Sequence, residues 1–267
     1  MNMEIEVIMA AYNNVQDMKI VLDAYVGQTD QDFFICIADD GSRDSVRSLV
    51  HVYAELGLRI RHVYHEDRGY RRAEIINTAI SSSLSDFIVL TDNDCIPSAY
   101  FIADYRAVCC ENTLIVGRRV DLYPSVSNAL RTNSIPLSKL KSPFWLLFQS
   151  VIKGLKRSEV GIRFPSFICK LWNRKDRKAI GANMGISRTA LLDVNGFDND
   201  YQGYGFEETD LEWRLEKNGV KRKTVLGRCA LFHLYHSEKK ESNESLLHLQ
   251  EKMKQGLVKC KNGIELL

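Results

Sequence analysis

The sequence predicts an α/β fold, a mainly parallel sheet flanked by helices, as a single domain with one basic insertion. Three observations carry this. Short apolar runs alternate with amphipathic segments through the first 120 residues. Polar clusters follow several of the apolar runs. The alternation then breaks over residues 121–178 and resumes at 179. Strands that alternate with helices need crossover connections, so the sheet must be largely parallel and covered on both faces.

In chain order, residues 4–10 read as the first strand. Asn13 or Asn14 caps a helix whose Met18, Val21, Leu22 and Tyr25 fall at i, i+3, i+4 and i+7. Residues 33–38 form a second apolar run, followed by the turn Asp39-Asp40-Gly41-Ser42. Ser42 or Asp44 caps the next helix, striped by Val46, Leu49, Val50 and Tyr53 and stopped at Gly57. Residues 58–64 are a third strand, 73–81 a helix, and 87–90 a fourth strand leading into Thr91-Asp92-Asn93-Asp94. Residues 98–110 read as helical and 114–120 as a fifth strand. The pattern resumes over 179–187. A helix opens near Glu208, with Leu211 and Leu215 inward and Gly219 just past its end. An apolar strand over 229–232 leads to His233 and His236, and a last helix stripes Leu246, Leu249, Met253 and Leu257.

Composition narrows the function classes. The 267 residues are 45% hydrophobic and 26% charged, which excludes a chain disordered throughout. No apolar run approaches the ~20 residues of a membrane span, and the N-terminal residues lack a basic region followed by an apolar core, so a cytoplasmic protein is expected. The seven cysteines form no C-x-x-C pair, which favours buried thiols over disulfides or structural zinc. Net charge is only +2, yet residues 131–178 hold twelve Lys and Arg against Glu159 and Asp176. That window is +10 and the rest of the chain −8.

Ligands of open α/β sheets bind at the carboxyl ends of strands. Here those ends carry Ala11-Tyr12-Asn13, Asp39-Asp40 and Asp92-Asn93-Asp94. A turn with a helix cap explains Asp39-Asp40 equally well. Asp92 and Asp94, two residues apart in an extended segment, point to one side and can share a divalent cation; Mg²⁺ and Mn²⁺ prefer such oxygens together with substrate phosphates. Neither G-x-x-x-x-G-K-[ST] nor a G-x-G-x-x-G after the first strand is present, so P-loop and dinucleotide readings lose their support. Glu207, Glu208 and Asp210 cluster at a helix start, where acids also favour the macrodipole. A carboxylate there can serve as a general base. His233 or His236 can complete a metal site, although a histidine after an apolar strand is often structural.

These residues carry a resemblance. IEVIMAAYNN, IADDGSRDSV and FIVLTDNDCIPSAYF resemble the opening motifs of inverting glycosyltransferase family 2, which has the Rossmann-like GT-A fold. HEDRGYRRAEIINTAI resembles the fingerprint of a bacterial branch of that family. Residues 179–215 resemble the C-terminal motif shared with β-1,4-galactosyltransferases, NGF…Y-x-G-W-G-G-E-D-x-D, and GRCALFHLYH resembles the strand that ends in a metal-binding histidine. Three positions depart from the motif: Tyr204 replaces its Trp, Phe206 its second Gly, and Glu208 its Asp. The resemblance implies that Tyr12 and Asp40 hold the uracil and ribose of a UDP-sugar, with Arg71 near the nucleotide. It makes Asp92 the ribose- or metal-side acid and Asp94 the direct Mn²⁺ or Mg²⁺ ligand. Glu208 takes the place of the catalytic Asp, Glu207 lies beside the acceptor hydroxyl, and His233 is the metal histidine with His236 in reserve.

The implied activity moves a hexose, galactose or glucose, from a UDP-sugar to a bacterial surface glycan such as a capsule, lipopolysaccharide or O-antigen unit. An N-acetylhexosaminyltransferase is the nearest alternative. A non-catalytic nucleotide-sugar-binding subunit is a further one, and the retained Glu208 and D-x-D speak against it. The implied division is 1–120 for the nucleotide-sugar, 121–178 for the insertion, 179–236 for acceptor and catalysis, and 237–267 for a helical tail. In the insertion, Trp and Phe interleave with Lys and Arg. This suits peripheral docking on the anionic inner face of the cell membrane, near a lipid-linked acceptor, with Trp145 and Phe148 inserting. A packed surface loop would share that composition. RNA binding would too, but it does not need the acidic cluster, so no nucleic acid partner is expected.

Overall fold

All seven residues of the first strand, β1 (Ile5–Ala11), are buried. A strand dry on both faces belongs in a parallel sheet with helices on each side. The computed structural model, which describes residues 3–43, 45–175, 177–201, 203–237 and 242–266, has that arrangement. β2 (Phe34–Asp39), β3 (Ile60–Tyr64) and β4 (Phe87–Asp92) continue the parallel set. Helices α1 (Val15–Val26), α2 (Ser45–Glu55) and α3 (Arg72–Ser81) make the connections. There follow β5 (Cys95–Pro97), α4 (Phe101–Arg106), β6 (Thr113–Val116) and β7 (Arg118–Leu122). The insertion holds α5 (Pro124–Arg131), a 3₁₀ turn (Leu137–Lys141), α6 (Pro143–Val151), β8 (Leu155–Lys156), α7 (Ser158–Gly161) and α8 (Ser166–Trp172). The chain closes with β9 (Met184–Ser187), α9 (Arg188–Asp193), α10 (Glu207–Lys217), β10 (Lys221–Thr224), β11 (Ala230–His233) and α11 (Asn243–Gln255).

The strands form two sheets. The larger has the order β10-β6-β9-β4-β1-β2-β3, with β9 antiparallel to both its neighbours. The smaller has the order β5-β11-β7-β8. Alternation along β1 sends Val7 and Met9 into one core with Met18 and Val21 of α1, and Ile8 into a second with Ile76 of α3 and Leu211 of α10.

Several expectations are corrected. The fifth strand over 114–120 is two strands, β6 and β7, in different sheets. The chain changes sheets at Gly117, where a Cβ would come within 2.4 Å of the Asn183 side chain. That amide donates to the carbonyls of Arg118 and Cys229 and accepts from the Tyr105 hydroxyl, tying the junction together. The helix over 98–110 shortens to α4, and only Met184–Ser187 of 179–187 is strand. Asn14 occupies the α1 cap position, but its side chain donates to Asp17 instead of accepting from the helix. Ser42 accepts from the Asn13 N–H, and Asp44, the residue before α2, lies outside the described residues. The tail stripe is rotated: α11 buries Ser245, Leu249 and Lys252, leaves Met253 exposed, and ends before Leu257.

Candidate functional site

Parallel register brings the polar strand ends together. Ala11 pairs with Asp39 and Ala10 with Asp92, so Tyr12, Asp40 and Asn93-Asp94 leave the sheet along one edge. β1 lies between β2 and β4, which makes this edge the topological switch point.

On the β1–β2 side, Tyr12 is half exposed and its hydroxyl donates to Asp67 at 3.0 Å. Asp40 is nearly buried. It faces His65 at 2.6 Å and accepts from the Arg71 backbone N–H at 3.0 Å. Gly41 has φ +88, and a Cβ there would lie 2.5 Å from the Asp67 Cα, so only glycine lets that loop cross. Arg71 reaches this group through its backbone; its guanidinium turns to Glu74 and the Glu66 carbonyl.

The next residue, Arg72, is the one the sequence reading missed. It opens α3, and its guanidinium donates to Asp92 at 2.9 Å and to Glu208 at 2.7 Å. Burial opposes its charge, but Asp92 and Glu208 outweigh burial and hold its pKa well above the ordinary value. The only signal was the doubled arginine in GYRRA. Glu208 lies over Gly181, where a Cβ would come within 2.0 Å of its carboxylate. Glu207 accepts from the Gly205 N–H at 2.8 Å and the Tyr70 hydroxyl at 3.1 Å. Burial and the neighbouring Glu208 push the Glu207 pKa up. Phe206, just before α10, is left-handed with φ 74, where the resembled motif has glycine.

Asp210 is corrected. It is fully buried, paired at 2.8 Å with both Arg214 and Lys252, and cannot face a substrate. Two residues along α10, about 200° of helical rotation, turn Asp210 away from Glu208.

The third group sits where the chain crosses from β4 to β5. Residues 93–94 form a turn, not the extended segment expected, and the two carboxylates of the D-x-D take different partners. Asp92 meets Arg72, whereas Asp94 meets the histidines. β11 runs antiparallel to β5 with His233 opposite Cys95, which sets His233 beside Asp94. The Asp94 carboxylate is 3.6 Å from His233 Nε2 and 3.2 Å from His236 Nε2, and the two ring nitrogens are 3.0 Å apart. Burial would raise the Asp94 pKa, but the two imidazoles hold it well below the carboxylate range. A carboxylate and two imidazoles converging on one point suit a divalent cation. Cys95 also lies within reach, but burial and Asp94 push its thiol up, which keeps it a poor ligand. A second group, Asp198, Asp200 and His248, already holds the Lys252 ammonium at 2.5 Å from Asp198. A cavity of about 220 Å³ beside Pro97, Leu140 and Phe232 contains none of these carboxylates. Alternation on β11 puts Phe232 on the opposite face from His233.

The model of Glycosyl transferase family 2 matches residues 6–189. The chain belongs to that family. A second family model, described as the N-terminal domain of galactosyltransferase, matches residues 162–237 and so covers the Glu207-Glu208 and His233-His236 segments. Chondroitin synthase of Escherichia coli is 23% identical over 242 residues, 88% of this chain and 34% of that protein. The chain therefore spans about a third of that relative's length. Among solved structures, S. aureus TarS 1-349 in complex with UDP superposes with a TM-score of 0.63 at 15% identity, covering 92% of this chain and 63% of that one. The mannosyltransferase PcManGT of Pyrobaculum calidifontis, in complex with GDP-Man and Mn²⁺, gives 0.59 at 16% identity, covering 95% and 70%. The fold of this family member is GT-A.

Proposed function

We propose that this family member is a metal-dependent, inverting hexosyltransferase. It moves galactose or glucose from a UDP-sugar to a lipid-carried bacterial surface glycan at the inner face of the cell membrane. The observation that carries the reading is the convergence of Asp94, His233 and His236 at the same sheet edge as Asp92 and Glu208. Residues 1–120 hold the donor in this reading, and 179–236 supply the catalytic groups.

Tyr12 and Asp40 line the uracil and ribose, and Asp92 faces the ribose or the cation. Asp94, His233 and His236 would hold Mn²⁺ or Mg²⁺, which offsets the negative charge that develops on the departing diphosphate. Glu208 takes the proton of the acceptor hydroxyl, whose oxygen bonds to the anomeric carbon as the bond to the diphosphate oxygen breaks. Arg72 orients Glu208 for that step, and Glu207 fixes the loop ahead of it through the Gly205 N–H. A single displacement inverts the anomeric centre, so an α-linked donor gives a β-linked product.

The test is hydrolysis of UDP-Gal, UDP-Glc, UDP-GalNAc and UDP-GlcNAc with Mn²⁺, read as released UDP. Turnover of a hexose donor supports the reading, and full turnover in excess EDTA removes its metal. TarS has also been solved with UDP-GlcNAc. A preference here for the N-acetylated donors would instead make this an N-acetylhexosaminyltransferase.

A further inference from the structure

The insertion contains a helix that turns its apolar side outward. Phe144, Leu147, Phe148 and Val151 of α6 fall at i, i+3, i+4 and i+7 and so share one face. All four are exposed, Phe144 by 86% and Val151 by 81%, and Ile152 beside them is exposed too. The other side is the anchored one: Leu146 is buried in the core, and Trp145 packs against it. Folding of this chain therefore gains little from the outer stripe, which leaves an apolar face open to a partner.

The charge around the stripe says what covers it. No Asp or Glu occurs from residue 122 to 158. Of the cations there, Arg131 pairs with Asp17 and Arg157 with Asp121. Lys139 and Lys141 precede the helix and Lys153 and Lys156 follow it; all four are exposed, and none is in an ion pair among the described residues. An apolar stripe flanked at both ends by unpaired lysines matches an anionic lipid surface, with side chains entering the acyl boundary and ammonium groups at the phosphates. No helix among the described residues is long and apolar enough to cross a membrane, so the contact is one of docking.

We infer that α6 is a membrane-docking helix that lies in the plane of an anionic leaflet, with Phe144, Leu147, Phe148 and Val151 inserted and Lys139, Lys141, Lys153 and Lys156 on the headgroups. The inference deepens the reading of a lipid-carried acceptor. It also changes the expected contacts: Trp145 packs against the core rather than inserting.

The full chain is sedimented with vesicles of phosphatidylcholine alone and of phosphatidylcholine with phosphatidylglycerol. Sedimentation velocity without lipid gives its oligomeric state, and donor hydrolysis is assayed alongside. Binding is expected on the anionic vesicles, falling in ~0.5 M salt as the screening length shortens. The triple variant Phe144→Ser, Phe148→Ser, Val151→Ser should lose at least about 100-fold in partitioning. Changing the four lysines to Gln should cost roughly fivefold for each that reaches the headgroups. Because every substituted side chain is exposed, folding and donor hydrolysis should stay at wild-type levels. Wild-type protein left in the supernatant with anionic vesicles overturns the inference, as does a triple variant that binds like wild type. A wild-type dimer that the triple variant dissociates gives the stripe to a second copy of the chain instead. Vesicle binding without donor hydrolysis would defeat the proposed activity and leave the docking helix standing.

Discussion

Arg72 decides how the acidic side chains behave together. It bridges Asp92 and Glu208, so the base of the proposed reaction is positioned before any substrate arrives. Glu208→Gln keeps that geometry and removes the proton acceptor. Transfer to the acceptor should fall by ~10²–10⁴-fold with UDP-sugar affinity near normal by calorimetry; a wild-type rate would hand the role to Glu207. Phe206 offers a test of backbone conformation. A β-carbon in the left-handed region costs roughly 1–2 kcal/mol, and this residue holds φ 74. Phe206→Gly and Phe206→Ala both lose the ring, but only glycine relieves the backbone. The glycine variant should be the more stable by about 1 kcal/mol in urea unfolding, reversing the usual order of the two residues in regular structure. The sequence marked this spot, because a phenylalanine where the resembled motif has glycine was visible. It could not rank Arg71 against Arg72, since adjacent residues at a helix start differ in direction by a rotation that only the packed helix defines.

Among the elements, α11 shows how a charge can hold a helix in place. Lys252 is buried between Asp198 and Asp210, at 2.5 and 2.8 Å. Arg214 holds the other oxygen of Asp210, and His248 shares the Asp198 Oδ2 with Lys252. Lys252→Met keeps most of the volume and leaves two buried carboxylates short of a cation, which should destabilise the protein by about 3 kcal/mol. The pH dependence follows from Asp198. Burial would raise its pKa, but Lys252 and its hydrogen bonds lower it overall. Its contribution is thus complete above the unfolded carboxylate value of ~4 and fades as pH falls through the depressed folded value. The gap between wild type and variant should narrow in acid; a gap that widens below pH ~4 would contradict the pairing. Hydrophobic periodicity misplaced this helix because its inward face includes a paired lysine, which no apolar pattern registers. The same limit hid the sheet change at Gly117, where one apolar run serves two sheets. Of the first four strands, β1, β2 and β4 were legible because both their faces are dry, and the edge strand β3, only partly buried, through its place between two striped helices.

The molecule as a whole joins two sheets at its proposed metal centre. Asp94 lies on the turn that leaves β4 of the large sheet, and His233 belongs to β11 of the small one. Of the covalent passages between the sheets, residues 93–94 and Gly117 are the shortest. A cation held by Asp94 and His233 would add a non-covalent link, present only when the fold is intact. Binding to the native state alone stabilises it by RT ln(1 + [L]/Kd), about 2.7 kcal/mol at a hundredfold excess over Kd. For a protein of this size a kilocalorie shifts Tm by roughly 2 °C, so saturating Mn²⁺ should raise Tm by on the order of 5 °C. Asp94→Ala and His233→Ala should each abolish the shift. His236→Ala should diminish it less, because His236 follows β11 and is half exposed, whereas the strand register fixes His233. Glu208→Gln, whose side chain meets Arg72 and not Asp94 or the histidines, should retain the full shift. That separates the metal's structural effect from the loss of the base. A Tm indifferent to Mn²⁺ in the wild type, or a shift retained in Asp94→Ala, would mean that the Asp94–His233–His236 group is an ion-pair joint between the sheets rather than a cation site.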